Sequence, residues 1–511
     1  GNQAVLNVAD YIDAMLDDPR VRAIGLYLEG IVDISAFSTA AMRAVKQGVP
    51  LVALKAGGTQ ESAELAQSHS GTLAVDNEIW SALFRRFAIV EAGSPKALIE
   101  ALKLLGSPKP PKGNRVVAAA NSGGYAAMIG EKGRNVGLDF PAPTKAQRNA
   151  LRQTVPELVS LMNPLDWNLP WAAMSTPDTS DNGMGLLMDD RCDLLVYFVD
   201  WPRELDVADV WWPTLEGLIQ LNNRMDCPVV IASVLPDGLP ADLRLRLANA
   251  GVVTLQGLDD TLCAIRAVAQ YSILRAQVLA DVENRLLSTP AVLTGSLVTL
   301  NEEMGKALIA EHDIPVPAHA TGTFEEVIAA ADLLGFPLAV KLLNEDLLHK
   351  NRAGAVHLNI NDASGLKQAI SAIQTSVSRY DARLDTSHFL IENMVEAPRA
   401  EFIVGVSHKP GIGHVLVIGR GGTDVEELRD FATLLLPVSA VQIEDAIRRL
   451  SLVRKLGLDQ QDIASLVQVV SQVAQFSDQY RDRLVELDVN PIILDTFGNC
   501  TAVDAMMRMR T

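Results

Sequence analysis

Short apolar segments alternate with amphipathic segments along the first half of the chain. Segments of helical period, such as VADYIDAMLDDP (8–19) and SALFRRFA (81–88), separate runs that have the length and composition of buried strands. Those runs are AIGLYL (23–28), PLVALK (50–55), VVAAA (116–120), LLVYFV (194–199) and PVVIASV (228–234). Buried strands that alternate with helices are typical of βαβ units and parallel sheets. This half of the chain is therefore predicted to be α/β.

A break in the pattern and a later change of character predict three domains. SPKPPKG (107–113) is a predicted surface linker, which leaves two Rossmann-like, flavodoxin-like parallel-sheet domains at 1–106 and 114–271. Beyond them, apolar runs such as AEFIVGV (400–406) and HVLVIG (414–419) follow one another closely, as in hairpins. Residues 296–511 are therefore predicted to form an α+β domain.

Composition and charge exclude several classes of protein. The chain has 511 residues, with 48% hydrophobic and 21% charged side chains, which is a globular composition. Its net charge of −18 argues against nucleic acid or an acidic membrane as the main partner. The four cysteines lie far apart, so a zinc site and a disulfide framework are not expected, and a cytoplasmic location fits. No apolar run is long enough to span a membrane, and the first residues do not read as a signal peptide.

A candidate nucleophile lies in the segment QSHSGTLA (67–74). His69 has small neighbours, which let a phosphate or a backbone approach closely. Glu29 follows the strand LYL, where a parallel sheet presents ligand-facing groups, and a carboxylate on one imidazole nitrogen leaves the other free to attack. The alternative is an ordinary structural histidine.

A candidate anion site follows the strand VVAAA. The segment NSGG, made of Asn121, Ser122, Gly123 and Gly124, leads directly into a predicted helix. Backbone amides and the helix dipole at such a start attract a phosphate. The alternative is a tight turn without a ligand.

Two further segments predict a site for a metal-bound polyphosphate. Lys341 lies on a predicted strand, and a basic, glycine-containing loop follows it (347–356). Asn490 and Asp504 lie on two segments that a hairpin through DTFGN (495–499) would bring together, and such oxygen ligands suit Mg²⁺. The alternatives are a strand lysine that extends towards solvent, a polar turn and a surface aspartate.

Taken together, these segments resemble the NDP-forming acyl-CoA synthetase superfamily, which includes ADP-forming acetate–CoA ligase and succinyl-CoA synthetase. The resemblance covers essentially the whole chain and implies that 296–511 is an ATP-grasp domain. It implies a phosphorylated histidine at His69 that Glu29 steadies, with its phosphate bound at NSGG. It also implies nucleotide contacts through Lys341, Lys350, Gly354, Glu392, Met394 and Glu401, with Mg²⁺ on Asn490 and Asp504.

The resemblance also implies partners. Members that carry all domains on one chain have a CoA-binding domain, and then one further strand, ahead of the segment that corresponds to GNQAVLN. The given sequence opens at GNQAVLN, so neither part is found in it. A CoA-binding segment on another chain, or one that has been removed, is therefore expected, as is a homo-oligomer. CoA itself is expected as a co-substrate, beside ATP and a carboxylic acid.

A tryptophan cluster departs from the family pattern. After NPLD (163–166), where relatives tend to carry small residues, the chain reads WNLPW. Trp167 and Trp171 are therefore candidates for a substrate pocket, which would suit an aromatic acid of the feruloyl type or a cationic acid such as dimethylsulfoniopropionate. Asp200 and Glu204 are candidate polar partners of that acid. The alternative is a local core of tryptophans.

The expected reaction joins a carboxylic acid to CoA at the expense of ATP, with acyl phosphate and phosphohistidine intermediates. Two alternatives stay open. One is the regulatory part of a protein acetyltransferase, and the other is a non-catalytic nucleotide or acyl sensor. The presence of His69, Lys341, Asn490 and Asp504 favours the ligase.

Overall fold

The structure, a computed structural model, describes most of the chain as two compact units, residues 1–282 and residues 283–511. The described residues are 3, 5–56, 77–155, 160–167, 176–202, 205–282, 285–344, 347, 350, 352–422 and 430–511, without the side chains of 205–209. His69, Trp171 and Glu204 lie outside these residues.

The first unit contains two parallel sheets. One has the strand order β1-β2-β3, and the other has the order β5-β4-β6-β7-β8. The strands are β1 (Ile24–Leu28), β2 (Leu51–Lys55), β3 (Val90–Glu91), β4 (Val116–Ala120), β5 (Leu165–Asp166), β6 (Leu194–Phe198), β7 (Val229–Ser233) and β8 (Val253–Gln256). Every residue of β4, β6 and β7 is buried, as expected for strands that helices cover on both faces.

Ten described helices connect these strands. They are α1 (Val8–Leu16), α2 (Ile34–Gln47), α3 (Asn77–Arg86), α4 (Pro95–Leu105), α5 (Gly123–Asn135), α6 (Lys145–Thr154), α7 (Pro177–Gly185), α8 (Leu205–Arg224), α9 (Ala241–Asn249) and α10 (Leu258–Ala280). Local chemistry sets several of their starts. Asn7 and Thr144 each form a capping box, and Ser94 and Thr176 cap helices that begin with proline.

The second unit is built on two mainly antiparallel sheets. Their strand orders are β10-β13-β11-β12 and β16-β15-β14-β17-β19-β9, with β18 beside β17. The strands are β9 (Leu297–Leu300), β10 (His319–Gly322), β11 (Leu338–Leu342), β12 (Val356–Ile360), β13 (Phe389–Asn393), β14 (Pro398–Lys409), β15 (Gly413–Arg420), β16 (Phe431–Leu435), β17 (Leu484–Asp495), β18 (Cys500–Ala502) and β19 (Ala505–Arg510).

Six helices lie in the described part of this unit and pack on these sheets. They are α11 (Glu302–Ala310), α12 (Phe324–Leu334), α13 (Ala363–Tyr380), α14 (Ala440–Arg449), α15 (Ser451–Leu456) and α16 (Gln460–Gln479). The larger core lies between α14, α16 and the long sheet, and includes Phe402, Ile447, Val470 and Ile492. Across the described part of the chain, no helix has both the length and the apolar composition needed to cross a bilayer.

The predicted fold class is confirmed, because parallel sheets precede an α+β region of antiparallel sheets. The strand bounds agree with the apolar runs to within a few residues. The predicted hairpin through DTFGN also forms, and pairs Leu494 with Cys500. The compact unit that contains the α+β region starts at residue 283, ahead of the predicted start at residue 296.

Candidate functional site

A cluster of buried charges lies where α11 meets the four-stranded sheet. Asn301 caps α11, so Glu302 and Lys306 lie one turn apart on the same face of the helix. Lys341 is on β11 and Glu392 on β13. Because Glu392 is paired with Ala339, two residues before Lys341, the sheet directs Lys341 and Glu392 to the same face.

Four of these side chains form a closed ring of alternating charge, called here the charge ring: Glu302, Lys306, Glu392 and Lys341. Lys341 Nζ lies 2.6 Å from Glu302 Oε1 and 2.8 Å from Glu392 Oε1. Lys306 Nζ lies 2.8 Å from Glu302 Oε1 and also bonds Glu392 Oε2. Lys350 lies outside the ring and bonds the second oxygen of Glu302.

The ammonium group of Lys341 is fully engaged. Its three donors reach Glu302, Glu392 and, at 2.7 Å, the backbone carbonyl of Val503. Burial by itself would lower the pKa of Lys341, but the charges of Glu302 and Glu392 outweigh burial and raise it. Burial would raise the pKa of Glu302, but Lys341, Lys306 and Lys350 together lower it. Both groups are therefore held in their charged forms.

Oxygen ligands for a cation lie next to the charge ring. The pairing of β17 with β19 ends at Val489 and Ala505, which places Asn490 and Asp504 side by side at the next position. Gly422 N donates to Asn490 Oδ1 at 3.3 Å. Burial and the charge of Glu302 raise the pKa of Asp504. Lys341 of the charge ring bonds the carbonyl of Val503, the residue just before Asp504. The charge ring and these oxygen ligands are therefore neighbours.

Asp488 is a third side chain with a candidate ligand oxygen at this edge, and sequence analysis missed it. It precedes Asn490 by two residues on β17, and strand alternation directs both side chains to one face. Burial, then Asp504 and Glu486, raise the pKa of Asp488 to about 6. Its Oδ1 atom is buried, with no hydrogen-bond partner among the described residues. The period-two spacing from Asn490 was the signal that could have identified it.

These oxygens fit Mg²⁺. An amide oxygen and carboxylates are its usual protein ligands, and Mg²⁺ keeps several waters, so it needs few of them. The unpartnered oxygen of Asp488 is the kind of group that a cation satisfies. Within the described residues, no group of three or more histidine, cysteine, aspartate or glutamate side chains has a metal-binding arrangement.

Of the other predicted nucleotide contacts, three lie outside the charge ring and one belongs to it. Gly354 has a φ of +65°, and Ala355 N donates to Lys350 O at 2.9 Å, so Gly354 closes the turn that carries Lys350. The backbone of Met394 bonds Pro337 O. Glu401 Oε2 lies 2.7 Å from the position that a Cβ on Gly422 would take, near Asn490. The Glu392 carboxylate belongs to the charge ring.

The predicted anion site lies at the switch point of the five-stranded sheet. From β4 the chain crosses to β5 on one side, whereas from β6, the other neighbour of β4, it crosses to β7 on the opposite side, and ligands of doubly wound sheets bind outside the carboxyl ends of the two strands at such a switch. Asn121 follows β4, and Ser122 is the N-cap of α5 without a side-chain cap bond. The amides of Gly123 and Gly124 therefore begin a 13-residue helix at this edge.

Asp166 lies against this helix start. It ends β5, directly opposite Ala120, and its Oδ2 is 2.8 Å from the position of a Cβ on Gly123. Burial raises the pKa of Asp166. Asp166 Oδ1 and Asn121 Oδ1 are both buried without a partner among the described residues. Sequence analysis missed Asp166, although it belongs to the NPLD segment that marked the departure from the family.

Asp200 and Trp201 follow β6 on the other side of the switch point. Asp200 accepts from Tyr125 OH at 3.1 Å and from Leu235 N at 3.0 Å, so its position is held by α5 and by the loop after β7. Trp201 packs edge-on to Trp212 at a centroid distance of 6.5 Å, and both rings are half-buried. The guanidinium of Arg246 lies over Trp212, 3.2 Å from the ring centroid.

The structure places Trp167 in the core, which contradicts its assignment to a substrate pocket. The side chain is fully buried among Val155, Gly183 and other core residues. The physical reason is position in the sheet: Trp167 N bonds Ala120 O, so the residue continues β5 and points into the helix layer. Trp171, the other pocket residue, lies outside the described residues.

The proposed histidine–glutamate pair stays a prediction. Glu29 directly follows β1, at the carboxyl edge of its sheet, as the sequence indicates. His69 lies outside the described residues. The structure therefore describes one member of the pair.

Comparison with known proteins gives two domain matches. Residues 291–509 match the ATP-grasp domain, and residues 1–105 match the succinyl-CoA ligase like flavodoxin domain. The first match contains the charge ring and the candidate Mg²⁺ ligands Asp488, Asn490 and Asp504. The second contains Glu29 and His69.

Relatives align along nearly the whole chain. A trans-feruloyl-CoA synthase from an unknown prokaryotic organism is 26% identical, with 99% of this chain and 71% of the relative covered. An ADP-forming 4-hydroxybutyrate–CoA ligase of Nitrosopumilus maritimus is 23% identical, with 99% and 73% covered. An ADP-forming acetate–CoA ligase of Archaeoglobus fulgidus is 24% identical, with 96% and 71% covered.

Proposed function

We propose, since this chain belongs to the NDP-forming acyl-CoA synthetase superfamily, that it is an ADP-forming acid–CoA ligase. One observation carries the proposal. Lys341 and Lys350 converge on Glu302, and Lys341 also bonds the carbonyl next to Asp504. Cations for phosphate oxygens and oxygens for Mg²⁺ therefore lie together, as transfer of a phosphoryl group from ATP requires.

The chemistry is a relay of one phosphoryl group. An imidazole nitrogen of His69 attacks the γ-phosphorus of ATP, and the bond to the β-γ bridging oxygen breaks to release ADP. The acid carboxylate then takes the phosphoryl group from His69 and becomes an acyl phosphate. The CoA thiolate attacks the acyl carbon, the C–O bond to phosphate breaks, and acyl-CoA and phosphate leave. Two separate sites can thereby share one phosphate.

Each described group has a part in this relay. Lys341 and Lys350 neutralise phosphate oxygens, while Asn490, Asp504 and Asp488 supply oxygens for Mg²⁺. A bound Mg²⁺ would draw charge from phosphate oxygens and so ease transfer of the phosphoryl group. In the first unit, the amides that begin α5 at Gly123 hold the phosphate of phospho-His69. Glu29 keeps the attacking imidazole nitrogen unprotonated by bonding the other nitrogen.

The acid is proposed to be aromatic or cationic, and Trp201 replaces Trp167 as the ring that contacts it. Trp201 is half-buried and lies just beyond Asp200, after the end of β6 at the switch point, where it packs against the edge of the core in which Trp167 is fully buried. Asp200 lies beside Trp201 and suits an acid that carries a donor or a positive group. Similarity to a trans-feruloyl-CoA synthase supports the aromatic alternative.

Three other predictions accompany the ligase. A CoA-binding segment outside these residues and a homo-oligomer stay predictions, as does a cytoplasmic location. The acetyltransferase-linked and sensor alternatives differ from the ligase at one observable point, because neither requires a phosphate on His69.

Mass spectrometry after incubation with ATP and Mg²⁺ tests the proposal. The wild-type chain is expected to gain a phosphate on the peptide that contains His69, and His69→Ala is expected to gain none. His388→Ala, which changes an exposed histidine of the second unit, is the matched control and should be phosphorylated like the wild type. Absence of phosphate on wild-type His69 would contradict the ligase relay.

A further inference from the structure

The carboxylate of Glu302 forms ion pairs with three lysines of the cluster. Its Oε1 atom accepts from Lys341 at 2.6 Å and from Lys306 at 2.8 Å, and its Oε2 atom accepts from Lys350. We propose that Glu302 is the positioning residue of the nucleotide site, and that it holds Lys341 and Lys350 together for the phosphates. This inference rests on the proposed function, because it takes those two lysines as the phosphate-binding groups.

Burial separates the groups that can touch a ligand from those that cannot. The side chain of Glu302 is 1% exposed and that of Lys306 is 0% exposed, whereas Lys350 is 19% exposed. A nucleotide can therefore reach Lys350 but not Glu302, and Lys341, which is 7% exposed, has to exchange one of its present partners for a phosphate oxygen. Glu302 acts through the lysines that it bonds.

The charge ring explains how a buried carboxylate can hold these lysines. An isolated charge in this position would be strongly unfavourable, but Lys306 bonds both Glu302 and Glu392. Within the ring two positive charges balance two negative charges. Lys350 then adds one positive charge at the more exposed side, where an anionic phosphate arrives.

Loss of the Glu302 charge would free Lys350 and would leave Lys341 held only by Glu392 and the carbonyl of Val503. Lys306 and Lys341 would then share the single ring carboxylate of Glu392, and their repulsion in a partly dry environment would shift them. Lys350 would lose the one ion pair that the structure describes for it. The phosphate site would therefore lose its spacing while the surrounding sheets stay in place.

The test compares Glu302→Gln with Glu303→Gln in the full chain. Glu303 is the next residue of the same helix, and it accepts from Thr321 at 2.6 Å rather than from a lysine, so it is a matched control. Calorimetry with Mg·ADP should show binding weakened at least about tenfold in Glu302→Gln and changed less than about threefold in Glu303→Gln. Equal affinity for Mg·ADP in wild type and Glu302→Gln would overturn the inference.

Adenosine distinguishes positioning of the lysines from a general structural role. Adenosine has no phosphate, so its binding, followed by saturation-transfer NMR, should be unchanged in Glu302→Gln. A parallel loss of adenosine binding would overturn the inference, because it would show that the whole pocket had been disturbed.

A second variant covers the case in which Glu302→Gln does not fold. The double variant Glu302→Gln with Lys306→Gln removes one charge of each sign from the ring and should show the same selective loss of Mg·ADP binding. Wild-type affinity in the double variant would overturn the inference. If the wild-type chain itself does not bind Mg·ADP, the proposed function fails, and that result differs from a failure of the Glu302 inference alone.

Discussion

The carboxylate of Asp166 fills the space beside Gly123 at the start of α5: Oδ2 lies 2.8 Å from the position that a Cβ on Gly123 would take. The contact follows from parallel pairing, because Asp166 is opposite Ala120 and the chain turns into the helix directly after it. Gly124, one residue further on, has more room, since the nearest atom to its Cβ position is 3.6 Å away. These two glycines therefore respond differently to substitution.

Gly123→Ala is expected to impair the first unit, whereas Gly124→Ala is expected to be tolerated. The new methyl group at Gly123 would push Asp166 aside at a cost of about 1–3 kcal/mol, and would crowd an anion at the helix start. Thermal melts and phosphoprotein formation measure the two effects. Equal behaviour of the two alanine variants would contradict the close packing of Asp166 on Gly123.

Asp504→Asn is expected to remove the Mg²⁺ dependence of nucleotide binding. The substitution keeps the size of the side chain but deletes the charge that attracts a hard cation. Calorimetry measures the affinity for Mg·ADP and the affinity for ADP in the presence of a chelator. We expect the ratio of these two affinities to fall at least about tenfold in the variant. Asp332→Asn, an exposed aspartate on α12, is the control and should leave the ratio intact.

Trp167→Ala is expected to lower the stability of the first unit by about 3–5 kcal/mol, because it opens a cavity in a packed core. Trp167→Phe should recover part of that loss. Denaturant unfolding measures both. A Trp167→Ala variant of wild-type stability with a raised KM for the acid would return Trp167 to the substrate pocket.

Trp201→Ala is expected to behave in the opposite way. Since Trp201 is half-buried at the switch point, its loss should raise the KM of the acid more than it lowers kcat. Steady-state kinetics and unfolding curves are measured for both Trp201→Ala and Trp167→Ala, so that the effects of the two variants on KM and on stability can be compared directly. A large loss of stability without a change in KM would place Trp201 in the core as well.

Acidification is expected to destabilise the second unit through His414. Burial, more than the neighbouring His408, lowers the pKa of His414 below 6.5, and its Nε2 bonds Leu484 O at 2.8 Å. The unfolded chain therefore binds more protons than the folded chain as the pH falls below 6.5, and the free energy of unfolding falls with it. The stabilising contribution of neutral His414 to the free energy of unfolding is fully present above pH 6.5.

Urea unfolding at several pH values measures this effect. His414→Gln should show a shallower loss of stability between neutral and mildly acidic pH, because glutamine takes up no proton. His388→Gln, which changes an exposed histidine, should follow the wild type. A His414→Gln curve parallel to that of the wild type would show that other groups carry the acid sensitivity.

The sequence by itself determined the order of the elements and the residues at the edges of the sheets. Buried strands of a parallel sheet read as continuous apolar runs, so β4, β6 and β7 were recognisable without a structure. Residues that follow such strands, among them Asn121 and Asp200, could be placed at the ligand-facing edge for the same reason. Local spacing also indicated Asn490 and Asp504 as neighbours.

Only the tertiary structure decided which charged and aromatic side chains face a ligand. The sequence shows only that Glu302 and Lys306 are one helical turn apart, and it is their ion pairs with Lys341 on β11 and Glu392 on β13 that accompany their burial. Trp167 read as a pocket residue, yet its place beside β4 directs it into the core. Burial depends on which elements pack over a position, and that packing joins residues far apart in the chain, so no local pattern contains it.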